Sequence, residues 1–169
     1  MQTGGATALL MEPRTGKTKV AIDYLSMLAT AGKIDRAVIV APARVLDVWI
    51  EQFHEHCPVR YHIILWDKDA RKQPLPRVSS VYQLTVLLVN YEAFGTPGKK
   101  LRSGRRSKTT GRFANRAAII KWLEGQPAAG VLDESHKVKS PSGRTSTMVV
   151  SMRPLFDYRL ILTGTPVTK

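Results

Sequence analysis

The sequence predicts an α/β domain built on a mostly parallel sheet with helices on both faces. Continuous apolar runs of strand length recur along the chain, as in strands that helices cover on both sides. Runs with helical spacing alternate with them, which favours a parallel sheet with right-handed crossovers. A Gly-Lys-Thr triplet, Gly16 to Thr18, follows one apolar run and precedes a helical one. Strand, tight loop and helix N-terminus in this order is the context that a phosphate-binding loop needs.

The apolar pattern of the sequence predicts six strands and four helices from residue 8 onwards. The predicted strands are apolar runs at 8–11, 37–41, 61–66, 84–89, 130–132 and 159–162. The predicted helices carry apolar residues at three- and four-residue spacings, at 17–31, 45–53, 115–124 and 145–152. We expect Asn115 to cap its helix, because asparagine accepts hydrogen bonds from the free amides of a first turn, and Gly125 to stop it.

Composition bounds the class of protein. A chain of 169 residues is long enough for one domain, 1–169, with a buried core. Its 26 Lys and Arg against 13 Asp and Glu give a net charge of +13, which indicates a polyanionic partner. A basic surface that only keeps the protein soluble is the alternative. Cys57 is the single cysteine, which excludes an intrachain disulfide and a thiolate metal cluster.

Neither a signal peptide nor an apolar run long enough to span a membrane is visible in the sequence. We therefore expect no membrane partner and a cytoplasmic location. The histidines offer no convincing pair of metal ligands, since His54 and His56 are two residues apart and would not share a helix face. A structural metal site is not expected.

A basic segment at about 95–112 interrupts the alternation of strands and helices. It is rich in glycine, proline and basic residues, a composition that cannot form a packed core and is typical of a mobile loop. Its cations are candidates for contacts with DNA phosphates, against the alternative of a solvated tract. They include Lys99, Lys100, Arg102, Arg105, Arg106, Lys108 and Arg112.

An acidic pair, Asp133 and Glu134, directly follows an apolar run. Ligands of parallel sheets bind at the carboxyl ends of the strands, so this pair can converge with the loop at Gly16 and with Thr163. Adjacent carboxylates at such a site can divide the work, with one holding Mg²⁺ and the other deprotonating an attacking water. The alternative reading of an Asp-Glu pair is a solvated acidic turn.

Four motifs in order along the chain resemble those of the Snf2-like branch of superfamily 2 helicases. Residues 11–18, Met-Glu-Pro-Arg-Thr-Gly-Lys-Thr, are similar to motif I of phage and bacterial members. Residues 40–46, Val-Ala-Pro-Ala-Arg-Val-Leu, with Trp49 and Phe53, look like motif Ia. Asp-Glu-Ser-His at 133–136 resembles a DEAH-type motif II, and Thr-Gly-Thr-Pro at 163–166 resembles motif III.

This resemblance implies a RecA-like P-loop NTPase domain that uses ATP and Mg²⁺ to move along double-stranded DNA. It implies nucleotide contacts from the motif I loop, namely Arg14, Thr15, Gly16, Lys17 and Thr18. It implies Mg²⁺ ligation by Thr18 and Asp133, and catalysis by Glu134 as the base together with Lys17. It also implies that His136, Thr163 and Thr165 couple the ATP state to DNA, and that Arg44 contacts the DNA backbone.

The resemblance further implies a second RecA-like lobe, in cis or in trans. ATP in this family lies between two lobes, and residues 1–169 match the N-terminal one only, so we expect an arginine finger from the other. A stand-alone module that binds nucleotide and DNA without turnover is the alternative function. A small-molecule P-loop kinase is disfavoured because it would leave the Thr-Gly-Thr-Pro motif unexplained. The form of motif I favours a bacterial or phage-infected host cell.

Overall fold

A computed structural model of the chain describes residues 5–12, 15–95, 102–105, 111–135 and 143–164. Its strands form a single sheet: β1 (Ala6–Leu10), β2 (Arg36–Ala41), β3 (Tyr61–Leu65), β4 (Leu84–Asn90), β5 (Ala128–Leu132) and β6 (Tyr158–Thr163). The order across the sheet is β1-β6-β5-β2-β4-β3. Each neighbouring pair is parallel. The predicted class is confirmed, and in the described residues the sheet is wholly rather than mostly parallel.

Helices lie on both faces of this sheet, as predicted. They are α1 (Lys17–Thr30), α2 (Leu46–His56), α3 (Glu92–Gly95), α4 (Arg112–Leu123) and α5 (Arg144–Ser151). On one face α1 and α2 pack together around Ile22, Trp49 and Phe53. On the other face α4 and α5 supply Ile119, Trp122 and Met148 to a second cluster. The core therefore consists of two apolar layers with the sheet between them.

The central strand β2 explains why the predicted strands are continuous apolar runs. Ala37 and Ile39 belong to the layer under α1 and α2, whereas Val38 and Val40 belong to the opposite layer. All six residues of β2 are buried, and the five that follow Arg36 are apolar. Since side chains alternate between faces along a strand, a strand covered on both faces needs apolar residues at every position. The edge strand β1 is largely exposed, with Leu9 as its one half-buried residue.

The predicted cap at Asn115 is wrong. Helix α4 begins at Arg112, and its N-cap is Gly111, with a φ of 70°. The Asn115 side chain instead donates a hydrogen bond from Nδ2 to the carbonyl oxygen of Ala93 at 2.7 Å. Asn115 therefore joins α4 to α3, a short helix that the sequence analysis did not predict. The helix ends before Gly125, which adopts a left-handed φ of 72°.

The basic segment predicted at about 95–112 begins and ends in helical residues, since Gly95 closes α3 and Arg112 opens α4. Between them the structure describes residues 102–105, which are exposed, and Gly111. Lys99, Lys100, Arg106 and Lys108 lie outside the described residues. The expectation of a mobile loop therefore stays a prediction.

Candidate functional site

The loop between β1 and α1 has the conformation that its glycine allows. Gly16 has φ 83° and ψ 17°, in the left-handed region, where a Cβ atom would strain the backbone. Helix α1 begins at the next residue, Lys17, and the Val20 amide donates to the Gly16 carbonyl at 3.0 Å. The first amides of a helix have no partner within the helix, and its positive dipole end attracts anions. Thr15, Gly16, Lys17 and Thr18 lie where a phosphate group would meet that end, and Arg14 is outside the described residues.

Lys17 folds back over its own loop. Its Nζ donates to the carbonyl oxygens of Met11, at 2.9 Å, and Glu12, at 2.6 Å. The Glu12 carbonyl also accepts a hydrogen bond from Thr15 Oγ1 at 2.6 Å. Lys17 and Thr18 are both half-buried. The ammonium group is therefore held beside the loop, within electrostatic reach of the Asp133 carboxylate.

Asp133, directly after β5, is held by groups from separate parts of the chain. Its Oδ2 accepts a hydrogen bond from Trp49 Nε1 at 2.9 Å. Its backbone amide donates to the Val40 carbonyl at 2.9 Å. The Tyr91 hydroxyl donates to the Asp133 carbonyl at 2.7 Å. Side chain and backbone are thus fixed independently, the first by α2 and the second by the ends of β2 and β4.

Burial raises the pKa of Asp133 above its ordinary value, and the nearby charge of Glu134 adds to the rise. Hydrogen bonds from Trp49 and from the Glu134 backbone, together with the Lys17 charge, oppose it. The pKa of Tyr91 is also raised, chiefly by burial and then by the two carboxylates, so its hydroxyl keeps its proton and remains a donor. A desolvated carboxylate of this kind gains from a cation beside it.

Glu134 is held in a strained turn. Its φ is 51°, the left-handed region that residues with a Cβ atom rarely adopt. Such a conformation costs about 1–3 kcal/mol and persists where the surrounding structure imposes it, commonly at functional sites. Glu134 is half-buried, one residue beyond Asp133. The two carboxylates therefore leave the end of β5 through an abrupt change of chain direction.

Thr163 ends β6, which lies between β1 and β5. It is buried, with 4% of its surface exposed. Its carbonyl accepts a hydrogen bond from the Met11 amide at 3.3 Å, which joins the phosphate loop to the end of β6. The other two residues predicted to couple nucleotide state to DNA, His136 and Thr165, are outside the described residues.

Three of the candidate DNA contacts that the structure describes are exposed, whereas Arg112, at the start of α4, is half-buried. Arg44 lies in a 3₁₀ turn, Ala43–Val45, that follows the end of β2 and leads into α2. Arg102 and Arg105 are exposed in the segment between α3 and α4. Lys99, Lys100 and Arg106 are not described. The structure thus brings the described candidate nucleotide residues together at the carboxyl ends of the strands, and the relation of the basic segment to that end of the sheet stays a prediction.

The residues present fit a magnesium ion that is bound together with nucleotide phosphates. Mg²⁺ prefers hard oxygen ligands and is commonly held by one or two carboxylates plus substrate phosphates, not by an all-protein cage. Within the described ranges no group of three or more His, Cys, Asp or Glu could hold a metal ion. The Asp133 carboxylate and the Thr18 hydroxyl offer oxygens of the right kind. A carboxylate has about four acceptor sites, so the hydrogen bonds to Asp133 leave capacity for the ion.

Trp49 and Tyr91 contact Asp133 at this site, although the sequence predicted no role there for either residue. Trp49 belongs to the segment that resembles motif Ia, and Tyr91 directly follows β4, but neither side chain carries a charge at neutral pH. The available signal was the polar group of each ring, because a buried indole N–H or phenol O–H usually finds a partner. Which partner it finds depends on strand order, and strand order is not visible in the sequence.

Comparison with known proteins agrees with this architecture. The SNF2-related domain family matches residues 5–169. A SWI/SNF-related, matrix-associated, actin-dependent regulator of chromatin (subfamily A, containing DEAD/H box 1) from Xenopus tropicalis is 26% identical over 154 residues, 90% of this chain and 13% of that protein. The DNA excision repair protein ERCC-6-like of Mus musculus is 26% identical over 154 residues, 90% of this chain and 11% of its own length.

A solved structure shares the fold. The Sulfolobus solfataricus SWI2/SNF2 ATPase core in complex with double-stranded DNA superposes with a TM-score of 0.58 at 18% identity, covering 95% of this chain and 28% of that one. This likeness confirms the RecA-like fold. The chain thus spans a small part of the relatives that it matches. None of the described helices is long and apolar enough to cross a membrane.

Proposed function

The chain belongs to the SNF2-related domain family, and on that premise we propose that it is the ATP-binding motor lobe of a DNA helicase or translocase. In this proposal it couples ATP hydrolysis to movement on double-stranded DNA when a second RecA-like lobe, in cis or in trans, completes the site. The family implies the use of a nucleotide. The identity of that nucleotide as ATP, the Mg²⁺ ion and the translocation are parts of the proposal.

The order β1-β6-β5 carries the proposal. The carboxyl ends of three neighbouring parallel strands lie side by side. β1 leads into the phosphate loop, β6 ends at Thr163, and β5 is followed by the acidic pair. This arrangement supports a nucleotide bound across the edge, with phosphates at the N-terminus of α1 and the acidic pair beyond them. The Met11–Thr163 hydrogen bond of 3.3 Å supports a link between loop position and β6.

In this proposal the described residues of the candidate site have the following roles. The amides of the first turn of α1 and the Lys17 ammonium bind the phosphates, Lys17 exchanging its loop carbonyls for phosphate oxygens. Thr18 and Asp133 would hold the Mg²⁺, and the ion would supply positive charge to the phosphates. Glu134 accepts the proton of the attacking water. The second lobe supplies the opposing arginine, a contribution of about 10³–10⁵ in rate in related phosphoryl-transfer enzymes.

The test of this function uses Glu134→Gln in a protein that carries both lobes. The amide keeps the size of the side chain but cannot accept the proton, so ATP binding should persist while turnover falls about 10²–10⁴-fold. Binding is measured by calorimetry and turnover by phosphate release, each with and without duplex DNA. Full turnover by the variant would show that Glu134 is not the base, and turnover by neither protein would favour the stand-alone binding module.

The proposed DNA contact of the basic segment has its own test. Each phosphate neutralised on duplex DNA contributes about −0.9 to the slope of log K against log salt. Replacing Arg102 and Arg105 by alanine should therefore flatten the slope by up to about two units. The matched control replaces Lys33 and Arg60 by alanine. Both are exposed and lie just before β2 and β3, at the amino ends of the strands and away from the candidate site. Equal slopes for both double variants would move the DNA contact to Arg44.

The proposed location is the cytoplasm of a bacterium or of a phage-infected host cell. The resemblance of residues 11–18 to phage and bacterial motif I supports it. Fractionation of the source organism, followed by detection of the protein, would test it.

A further inference from the structure

We propose that Trp49 is a positioning residue for the magnesium-binding carboxylate. Its indole N–H donates to Asp133 Oδ2 at 2.9 Å and so selects the side-chain orientation in which the carboxylate faces the ion. This inference rests on the proposed function, because it concerns the ligand that the motor-lobe proposal assigns to Mg²⁺. The resemblance to motif Ia does not assign this role to Trp49.

Trp49 is rigid enough to act as a reference point. Only 1% of its surface is exposed, and its ring centroid lies 6.2 Å from that of Phe53. Phe53 in turn contacts Tyr61 with a centroid separation of 5.5 Å. The indole is therefore locked in the layer between α2 and the sheet, and the direction of its N–H cannot change without repacking that layer.

The Asp133 backbone is fixed without Trp49. Its amide is bonded to Val40 and its carbonyl to Tyr91, so the Cα atom keeps its place whichever way the side chain turns. Rotation of the side chain is the freedom that remains, and hydrogen bonds from Trp49 and from the Glu134 backbone restrict it. Loss of the indole N–H should therefore alter the orientation of the carboxylate and leave its location unchanged.

The other two tryptophans show that a buried indole N–H in this protein does not need a carboxylate as its hydrogen-bond partner. Trp122, also buried, donates to the backbone carbonyl of Pro76 at 3.1 Å. The indole nitrogen of Trp66 is buried and has no hydrogen-bond partner among the described residues. Trp49 instead donates to a carboxylate, a charge-assisted bond that is stronger than a neutral one. Groups that hydrogen-bond a metal ligand from behind typically change metal affinity by about 10–100-fold when they are removed.

The test compares Trp49→Phe with Trp122→Phe, both checked for folding by circular dichroism. Each change removes an indole N–H and keeps an aromatic ring, but Trp122 lies in the layer on the opposite face of the sheet. Binding of a non-hydrolysable ATP analogue is measured by calorimetry across a Mg²⁺ series and in EDTA. We expect Trp49→Phe to raise the half-maximal Mg²⁺ concentration about 10–100-fold, with affinity in EDTA unchanged. Trp122→Phe should leave both quantities at the wild-type values.

A second measurement needs no change at Trp49. The chain has three tryptophans, so a ¹⁵N-labelled sample gives three indole N–H resonances that triple-resonance experiments can assign. Adding Mg²⁺ to the complex with the ATP analogue should shift the Trp49 resonance and leave that of Trp122 in place. Asp133→Ala should shift the Trp49 resonance before any ion is added.

The outcomes separate this inference from the proposed function. If the wild-type chain binds the ATP analogue with Mg²⁺-dependent affinity but Trp49→Phe shows the same Mg²⁺ midpoint, the positioning role is wrong and the motor-lobe proposal stands. A Trp49 resonance unmoved both by Mg²⁺ and by Asp133→Ala leads to the same conclusion. If the wild-type chain binds no nucleotide, or binds it without regard to Mg²⁺, both proposals fail.

Discussion

The two halves of the candidate site are held in different ways. Lys17, on the phosphate side, hydrogen-bonds to carbonyls five and six residues away along the chain. Asp133, on the metal side, is bonded to side chains 84 and 42 residues away, those of Trp49 and Tyr91. The phosphate half is therefore a local structure and the metal half a tertiary one. Substitutions in the two halves should therefore have different effects. Those in the phosphate half should lower nucleotide affinity, whereas those in the metal half should change the free energy of unfolding and the binding of the ion.

Lys17→Ala, in the phosphate half, should have the largest effect, a loss of nucleotide affinity. If Lys17 binds phosphate as proposed, Lys17→Ala removes a charge-assisted hydrogen bond worth about 1.5–3 kcal/mol, so affinity for ATP should fall roughly 10- to 150-fold. The free energy of unfolding should change by less than about 0.5 kcal/mol, because the half-buried ammonium bonds only to its own loop in the described structure. Calorimetric titration and urea denaturation of both proteins provide the two numbers.

A large loss of stability in Lys17→Ala would break the comparison, since it would show that the phosphate half also supports the fold. Equal nucleotide affinity in wild type and variant would contradict the assignment of the phosphate loop itself. Lys19→Ala is a matched control: Lys19 lies on the same helix in an exposed ion pair with Asp23 at 2.6 Å, and its loss should alter neither quantity appreciably.

Tyr91→Phe probes the tertiary half and should have a moderate effect on stability. The phenylalanine ring fills the same space, but the Asp133 carbonyl loses the hydroxyl that donates to it at 2.7 Å. The loss should cost about 0.5–1.5 kcal/mol of unfolding free energy. Tyr82→Phe is the control, because Tyr82 has 37% of its surface exposed. A Tyr91 variant as stable as the Tyr82 variant would show that the metal half does not depend on this contact.

The same contrast separates what the sequence could predict from what it could not. The phosphate loop and the acidic pair are predicted after strands and each follows one, whereas Thr163, also predicted after a strand, is the last residue of β6. Strands of this kind can be located from the sequence because a buried parallel strand is a continuous apolar run. The placement of β6 between β1 and β5 was not predicted, since strand order depends on pairings between distant segments. Trp49 was missed for the same reason. Its partner is identified only once α2 and β5 are in place.

Asn115 illustrates the opposite error. A polar residue with strong capping preference stood near a helix start, and local propensity predicted a cap. The described structure uses its amide to hold Ala93, on α3, a helix of four residues that carries no periodic pattern. Tertiary hydrogen bonding thus overrode the local preference. The roles proposed for Lys17, Thr18, Asp133 and Glu134 stay predictions, because location after a strand does not measure binding or catalysis.

The smallest expected effect concerns the charge on Asp133 in the metal-free protein. Burial holds the pKa of this carboxyl above its ordinary value, so the folded state binds its proton more readily than the unfolded chain does. The ionised carboxylate therefore costs stability at neutral pH, and that cost disappears as the pH falls below the ordinary carboxyl pKa. Asp133→Asn removes the charge and keeps an oxygen that can accept the Trp49 hydrogen bond.

In EDTA we expect Asp133→Asn to be slightly more stable than wild type at pH 7, with the difference shrinking towards zero between pH 5 and pH 3. Added Mg²⁺ and ATP analogue should reverse the order, because an ion that binds only the folded carboxylate stabilises the wild type by mass action. Urea denaturation of both proteins across this pH range, with and without the ligands, measures each difference. A metal-free variant less stable than wild type at pH 7 would mean that Lys17 and Trp49 outweigh the burial of the carboxylate. The metal half of the site would then be stabilised by its charge even without an ion.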